Sequence, residues 1–189
     1  MNVISVVGMA GAGKSEVAAI FEEHGFTRVR FGDITDREME RRRLEPGEES
    51  ERSVRELLRN EHGMAAYAKL NLHRIDSALE NSGVVIDGLY SWEEYTFLKD
   101  YYGDRLGMVA VWASPKTRYA RLANREVRGM TTDGAASRDR AEIERVNKGG
   151  PIAMADFTII NESSLDSLRE AVERIISGCD EKGYKKTGC

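Results

Sequence analysis

Cysteine, histidine and proline are scarce in this chain. The 189 residues include two cysteines, Cys179 and Cys189, both near the C-terminus. They give neither a disulfide framework nor a metal-ligand spacing. The three histidines, His24, His62 and His73, stand far apart and read as surface or packing residues. No run of about 18 apolar residues occurs, so no membrane span is expected. The N-terminal stretch has no positive leader and runs straight into a glycine loop, so it reads as a strand rather than a signal peptide. The cytoplasm is the expected compartment. A surplus of positive charge is also missing. Lys plus Arg number 28 against 32 Asp plus Glu, a net charge of −4, which is a poor basis for non-specific nucleic-acid binding. Neither a membrane nor a nucleic acid is an expected partner, and the composition leaves the oligomeric state open.

What is present suits one soluble domain with a sizeable core. Short apolar runs predict strands at 2–7 and 84–87, alternation predicts one at 27–31, and two more are read at 106–112 and 157–160. Helical spacing predicts helices at 14–24, 34–43, 53–61, 64–81, 91–102, 114–124, 138–146 and 164–176. Ser91 and Glu94 have capping-box spacing, and Ser114-Pro115 supplies an N-cap with proline at the first helical position. Residues 125–150 are rich in arginine and glycine and poor in apolar side chains, the composition of a mobile lid. The tail 177–189 is expected to fray. Strands alternating with helices imply an α/β fold whose parallel sheet has helices on both faces. Its ligands lie at the carboxyl ends of the strands.

The strongest signal is Gly8-Met9-Ala10-Gly11-Ala12-Gly13-Lys14-Ser15, a P-loop between a strand and a helix. A chance match occurs in roughly one chain in a hundred of this length, and the strand and helix context is met as well. Glycines let backbone N–H groups face phosphate oxygens. Lys14 brings positive charge to the β- and γ-phosphates, Ser15 offers a ligand for Mg²⁺, and the helix N-terminus faces the same anion. The nucleotide-binding set is Gly8, Gly11, Ala12, Gly13, Lys14, Ser15 and Glu16, and the ligands are ATP and Mg²⁺. A guanine-selecting N-K-x-D is not completed, since Asn147-Lys148-Gly149-Gly150 ends in glycine. A motor or AAA-type ATPase would show Asp-Glu at a strand end, whereas here Asp87 is followed by Gly88.

The loops after the second and third strands suit a small-molecule kinase. Asp33 there would orient or deprotonate an acceptor, and Asp87 would bind Mg²⁺ through water or position the acceptor. Arg118, Arg121, Arg125, Arg128, Arg138, Arg140 and Arg145 supply guanidinium groups for the charge of a phosphoryl group in flight. Arg121 and Arg125, four apart on one helical face, are the preferred pair, with Arg128 next.

Taken together, the stretches 6–15, 30–33, 59–69, 84–89, 114–125 and 155–161 resemble the adenylate-kinase-like branch of P-loop kinases. Within it they resemble the UPF0200 nucleotide-kinase-like proteins and, more distantly, dephospho-coenzyme A kinase. The resemblance covers residues 1–176 as a single P-loop kinase domain. It implies a three-layer sandwich around a five-stranded sheet in the order 2-3-1-4-5, an acceptor-binding helical segment at about 34–81 and a lid at about 125–150. It places Asp33, Arg59 and Lys69 on the acceptor side and Asn161 near the nucleotide base. Two departures, Asp36 where adenylate kinases carry arginine and Leu89-Tyr90-Ser91 after Asp87-Gly88, weaken AMP as the acceptor. A small nucleotide-like acceptor remains, either a nucleoside monophosphate or dephospho-coenzyme A. The competing expectation is a regulatory P-loop protein that binds nucleotide and hydrolyses it weakly.

Overall fold

The run Val-Ile-Ser-Val-Val at residues 3–7 is buried at every position, and so is Val-Val-Ile-Asp at 84–87. Unbroken burial means that both faces of these strands are covered, as parallel sheets require. The computed structural model describes residues 1–125 and 129–181 and shows that arrangement. The strands β1 (Val3–Val7), β2 (Thr27–Arg30), β3 (Val84–Asp87), β4 (Leu106–Trp112) and β5 (Phe157–Ile160) form one parallel sheet in the order β2-β3-β1-β4-β5. The order implied by resemblance is therefore the order found.

Alternation along the strands splits the core in two. Val3, Val7, Val84, Ile86, Leu106, Met108 and Ala110 face one layer of helices with Tyr67, Ile75 and Leu98. Ile4, Val6, Val85, Val109 and Val111 face the other, with Phe21, Leu168 and Val172. The first layer contains α4 (Ala66–Leu79) and α5 (Trp92–Tyr102), and the second α1 (Lys14–Glu23) and α9 (Leu165–Glu181). Two arms stand over the strand ends. One is α2 (Asp33–Arg42) with α3 (Glu48–His62). The other is α6 (Pro115–Ala123) with α7 (Thr132–Glu144), followed by the short α8 (Gly149–Ala153). Ser91 caps α5 by accepting from the Glu94 N–H at 3.0 Å, and Ser114 caps α6 by accepting from the Thr117 N–H at 3.3 Å.

The differences from expectation lie in the arms and at the end of the chain. α3 begins five residues before the predicted 53, and α7 begins at Thr132 rather than 138. Thr131 caps α7, accepting from the Gly134 N–H. α7 has little apolar surface to reveal it, burying Ala135 and the polar Asp139. α8 was not foreseen, and α9 continues through Glu181, past the predicted end at 176 and into the segment expected to fray. Among the described residues, no helix is long and apolar enough to cross a membrane.

Candidate active site

Parallel pairing puts the ends of β1, β3 and β4 side by side, with Val6 opposite Asp87 and Val7 opposite Ala110. The P-loop leaves β1 at this edge. Gly11 adopts φ +79, and a Cβ there would meet the Arg118 carbonyl oxygen at 2.7 Å. Gly13 has φ +100 and lies against the side-chain amide of Asn161. Both positions therefore need glycine for conformation and for space. Asn161 is buried, and its Nδ2 donates to the Ala12 carbonyl at 2.8 Å. Arg121 Nη2 donates to the Asn161 carbonyl at 3.0 Å. Asn161 and Arg121, distant in sequence, thus brace the contiguous P-loop at Ala12 and Gly13.

Lys14 donates to the carbonyl of Met9 in its own loop at 3.0 Å. Burial and the nearby Lys148 charge press its ammonium down to about 7, while Glu142 and Asp87 pull the other way. Ser15 and Glu16 are exposed at the start of α1. Asp87 is 5% exposed, and its Oδ2 accepts from Arg28 Nη2 at 2.5 Å and Nε at 3.2 Å. That pairing disfavours Asp87 as a direct metal ligand and leaves Oδ1 for a water-mediated contact. Among the described residues, no group of three or more His, Cys, Asp or Glu could hold a metal. Ser15 at the helix start fits the usual mode of Mg²⁺, which keeps several waters and draws its remaining oxygens from phosphate.

Arg118 ties the P-loop to the second arm. It is 4% exposed and donates to the carbonyls of Ala113 and Ala10, each at 3.1 Å. It also forms a two-pronged pair with Asp139 of α7, at 2.9 and 2.6 Å. The buried Ala10, Leu122 and Ala135 pack around this junction.

A cavity of about 820 Å³ opens between α3 and α7. α3 contributes Arg52, Arg55 and Arg59; α7 and its C-terminus contribute Arg138, Glu142 and Arg145; Tyr90 and Lys148 lie between. Glu142 accepts from Lys148 Nζ at 2.8 Å and Arg138 Nε at 3.1 Å. Burial opposes its charge, but Lys148, Arg138 and Lys14 outweigh burial and hold its carboxyl at about 2. Arg59 lies 5.6 Å from the Tyr67 ring centroid, and its buried Nε has no hydrogen-bond partner among the described residues. Beneath them, Glu94 is fully buried. Its Oε2 accepts from the Tyr90 N–H at 2.8 Å, and burial pushes its carboxyl up to about 7.

The expected site residues divide accordingly. Gly8, Gly11, Ala12, Gly13, Lys14, Ser15, Asp87, Arg121 and Asn161 gather at the strand ends, and Arg59 lines the cavity. Asp33 is not among the residues that line the cavity. Its Oδ1 accepts from Arg30 at 3.1 Å and its Oδ2 from Arg74 at 2.8 Å. Lys69 is exposed and donates to the His62 carbonyl at 3.1 Å, so it finishes α3 instead of facing the cavity. The pairing of Arg121 with Arg125 on one helical face does not hold. α6 is capped at Asn124, and Arg125 is exposed beyond it. Arg128 lies outside the described residues. Glu142 and Lys148 carry no local pattern that distinguishes them from packing or surface residues, while Tyr90 belongs to an aromatic Tyr90-Ser91-Trp92 stretch that suits either base stacking or packing.

The pattern of the family described as an AAA domain matches residues 4–146. A UPF0200 protein from Thermococcus sibiricus is 35% identical over 191 residues, covering 97% of this chain and 97% of that one. The chain belongs to the AAA-domain and UPF0200 families. The first membership corrects the exclusion of AAA-type proteins at the family level, although Gly88 still stands where the Glu of a motor ATPase would follow Asp87. Two solved structures share the UPF0200 chain's fold. Shikimate kinase from Bacteroides thetaiotaomicron has a TM-score of 0.59 at 17% identity, covering 94% of this chain and 98% of its own. Dephospho-CoA kinase from Campylobacter jejuni has a TM-score of 0.54 at 15% identity, covering 94% and 96%. The fold is that of the P-loop kinases.

Proposed function

We propose that the protein is an ATP- and Mg²⁺-dependent phosphotransferase acting on a small nucleotide-like acceptor, a nucleoside monophosphate or dephospho-coenzyme A. The observation that carries this reading is that Lys14 of the P-loop lies within electrostatic range of Lys148, Glu142 and Arg138, which line an arginine-rich cavity large enough for a nucleotide. The P-loop backbone and Lys14 would hold the donor phosphates, with Arg121 and Asn161 on the base side. Mg²⁺, held by Ser15, phosphate oxygens and water, would neutralise the phosphate charge. Asp87 would reach it through water. Arg59 and its neighbours would hold the acceptor's anionic group. An acceptor oxygen would then bond to the γ-phosphorus as the bond to the β-phosphate oxygen breaks, and ADP would leave. For a hydroxyl acceptor, Asp33 would orient the O–H and take its proton. A phosphate acceptor would need no base. Closure of the two arms would exclude water and suppress hydrolysis.

The test is ADP release from Mg-ATP against a panel of nucleoside monophosphates, deoxynucleoside monophosphates and dephospho-coenzyme A. One acceptor should raise ADP release well above background, and Lys14→Ala should reduce it by about 10²–10³-fold. Slow release indifferent to every acceptor, with ATP still bound, would favour nucleotide-dependent regulation instead. Asp33→Asn separates the acceptor types. Large loss of turnover with intact ATP binding indicates a hydroxyl, and near-normal turnover rejects Asp33 as base.

A further inference from the structure

Lys148 belongs to the Asn147-Lys148-Gly149-Gly150 segment, which lacks the aspartate needed to select guanine. Its place in the fold suits a different task. It is 1% exposed, and its Nζ lies 5.2 Å from the Tyr90 ring centroid. Its backbone is fixed on both sides. The Lys148 N–H donates to the Glu142 carbonyl at 3.1 Å, and Asn147 takes the left-handed φ of 52. The Trp92 N–H donates to the Val146 carbonyl at 3.4 Å, and a Cβ on Gly150 would come within 2.6 Å of the Trp92 ring. This anchored lysine lines the cavity and lies within electrostatic range of Lys14.

A buried ammonium is costly unless paired, and a second one nearby raises the cost. Glu142 is the carboxylate that meets Lys148, and it serves Arg138 as well. Asp87, also in range of Lys14, has one oxygen committed to Arg28. Gathering cations this way beside a P-loop leaves room for the negative charge that a phosphoryl group would bring.

We propose that Lys148 is a second phosphate-contacting lysine, which leaves Glu142 to hold the transferred phosphoryl group from the acceptor side while Lys14 holds it from the donor side. The proposal rests on the phosphotransfer reading. As the acceptor oxygen bonds to phosphorus and ADP departs, Lys148 faces the charge on the phosphoryl oxygens. That contact has most effect in the transition state. Glu142 is the counter-ion that holds the lysine until phosphate arrives.

The full chain can be titrated with Mg-ADP, then with Mg-ADP plus aluminium fluoride, a mimic of the phosphoryl group in flight. Tryptophan fluorescence gives the readout, since Trp92 packs on Gly150. Aluminium fluoride should tighten ADP binding at least tenfold in the wild type. Lys148→Met should bind ADP alone within about twofold of the wild type and lose that tightening. The double variant Lys148→Met/Glu142→Gln removes both charges and covers the case in which the single variant misfolds. It too should lose the tightening. A lysine that served only Glu142 would be dispensable once Glu142 is neutral, and tightening restored in the double variant would overturn the proposal. If the wild type binds ADP without tightening, the phosphotransfer reading fails and takes this one with it. Tightening that survives in the Lys148 variants defeats the role of Lys148 alone.

Discussion

The donor side and the acceptor side of this site are built in different ways. The P-loop is one unbroken segment between β1 and α1, made of backbone and glycines. The cavity is made of side chains from α3, α7 and the segments around Tyr90 and Lys148, many of them charged and paired before any ligand arrives. Backbone N–H groups stay aimed at an anion without a counter-ion, whereas long cationic side chains near one another need carboxylates to hold them. The first kind of site is written into adjacent residues, and the second exists only once the arms have packed.

The comparison predicts which changes damage both sides at once. Arg118 joins them, so the largest effect is expected there. Asp139→Ala strands a buried guanidinium and should cost about 3–5 kcal/mol in chemical denaturation. Arg118→Met/Asp139→Leu, which removes both charges, should cost much less. Equal losses in the two variants would mean that packing, not charge, holds α7 to the P-loop.

Glu94 tests whether the cavity floor carries an electrostatic penalty that the P-loop lacks. Its carboxyl is raised from the ordinary 4.5 to about 7 by burial. Between those values the native chain holds a proton that the unfolded chain releases, so stability falls as pH rises through the window, and the penalty persists above it. Glu94→Gln should therefore raise the unfolding free energy at pH 8 by up to about 3 kcal/mol and give little or no gain near pH 4.5. A gain that does not depend on pH would remove ionisation as the cause.

Arg59 separates the two sides functionally. Arg59→Ala should raise the acceptor KM about tenfold, roughly 1.4 kcal/mol, and leave the ATP KM near wild type. Equal changes in both would erase the division. The smallest effect concerns protons on the donor side. Burial and Lys148 press Lys14 down to about 7, and bound phosphate favours its ammonium form. Mg-ATP binding at pH 8 should therefore take up nearly one proton, measured by calorimetry in buffers of different ionisation enthalpy, and Lys14→Ala should cancel the uptake.

The sheet was legible because parallel strands buried on both faces leave continuous apolar runs. β3 and β4 lie where those runs predict, and the edge strand β5, exposed at Thr158 and Ile160, also has its expected bounds. The P-loop was legible because its chemistry needs contiguous residues, and the caps at Ser91 and Ser114 because capping is local. The arms were read less well. α7 is held by Arg118 and Asp139, 21 residues apart, and α8 is too short to show a period. Arg121 and Arg125 were paired by spacing alone, and a helix end at Asn124 separates them. Lys69 looked like an acceptor cation and instead finishes a helix.

The sequence by itself determined the alternation of strands and helices, the phosphate loop and the residues at the strand ends, since each depends on neighbours along the chain. Tertiary structure alone decided that Tyr90, Glu142 and Lys148 share one cavity, that Asn161 closes on Gly13, and that Arg118 spans the P-loop and α7. The physical reason is that buried charge is tolerable only beside its partner, and those partners come from segments that meet only when the chain folds.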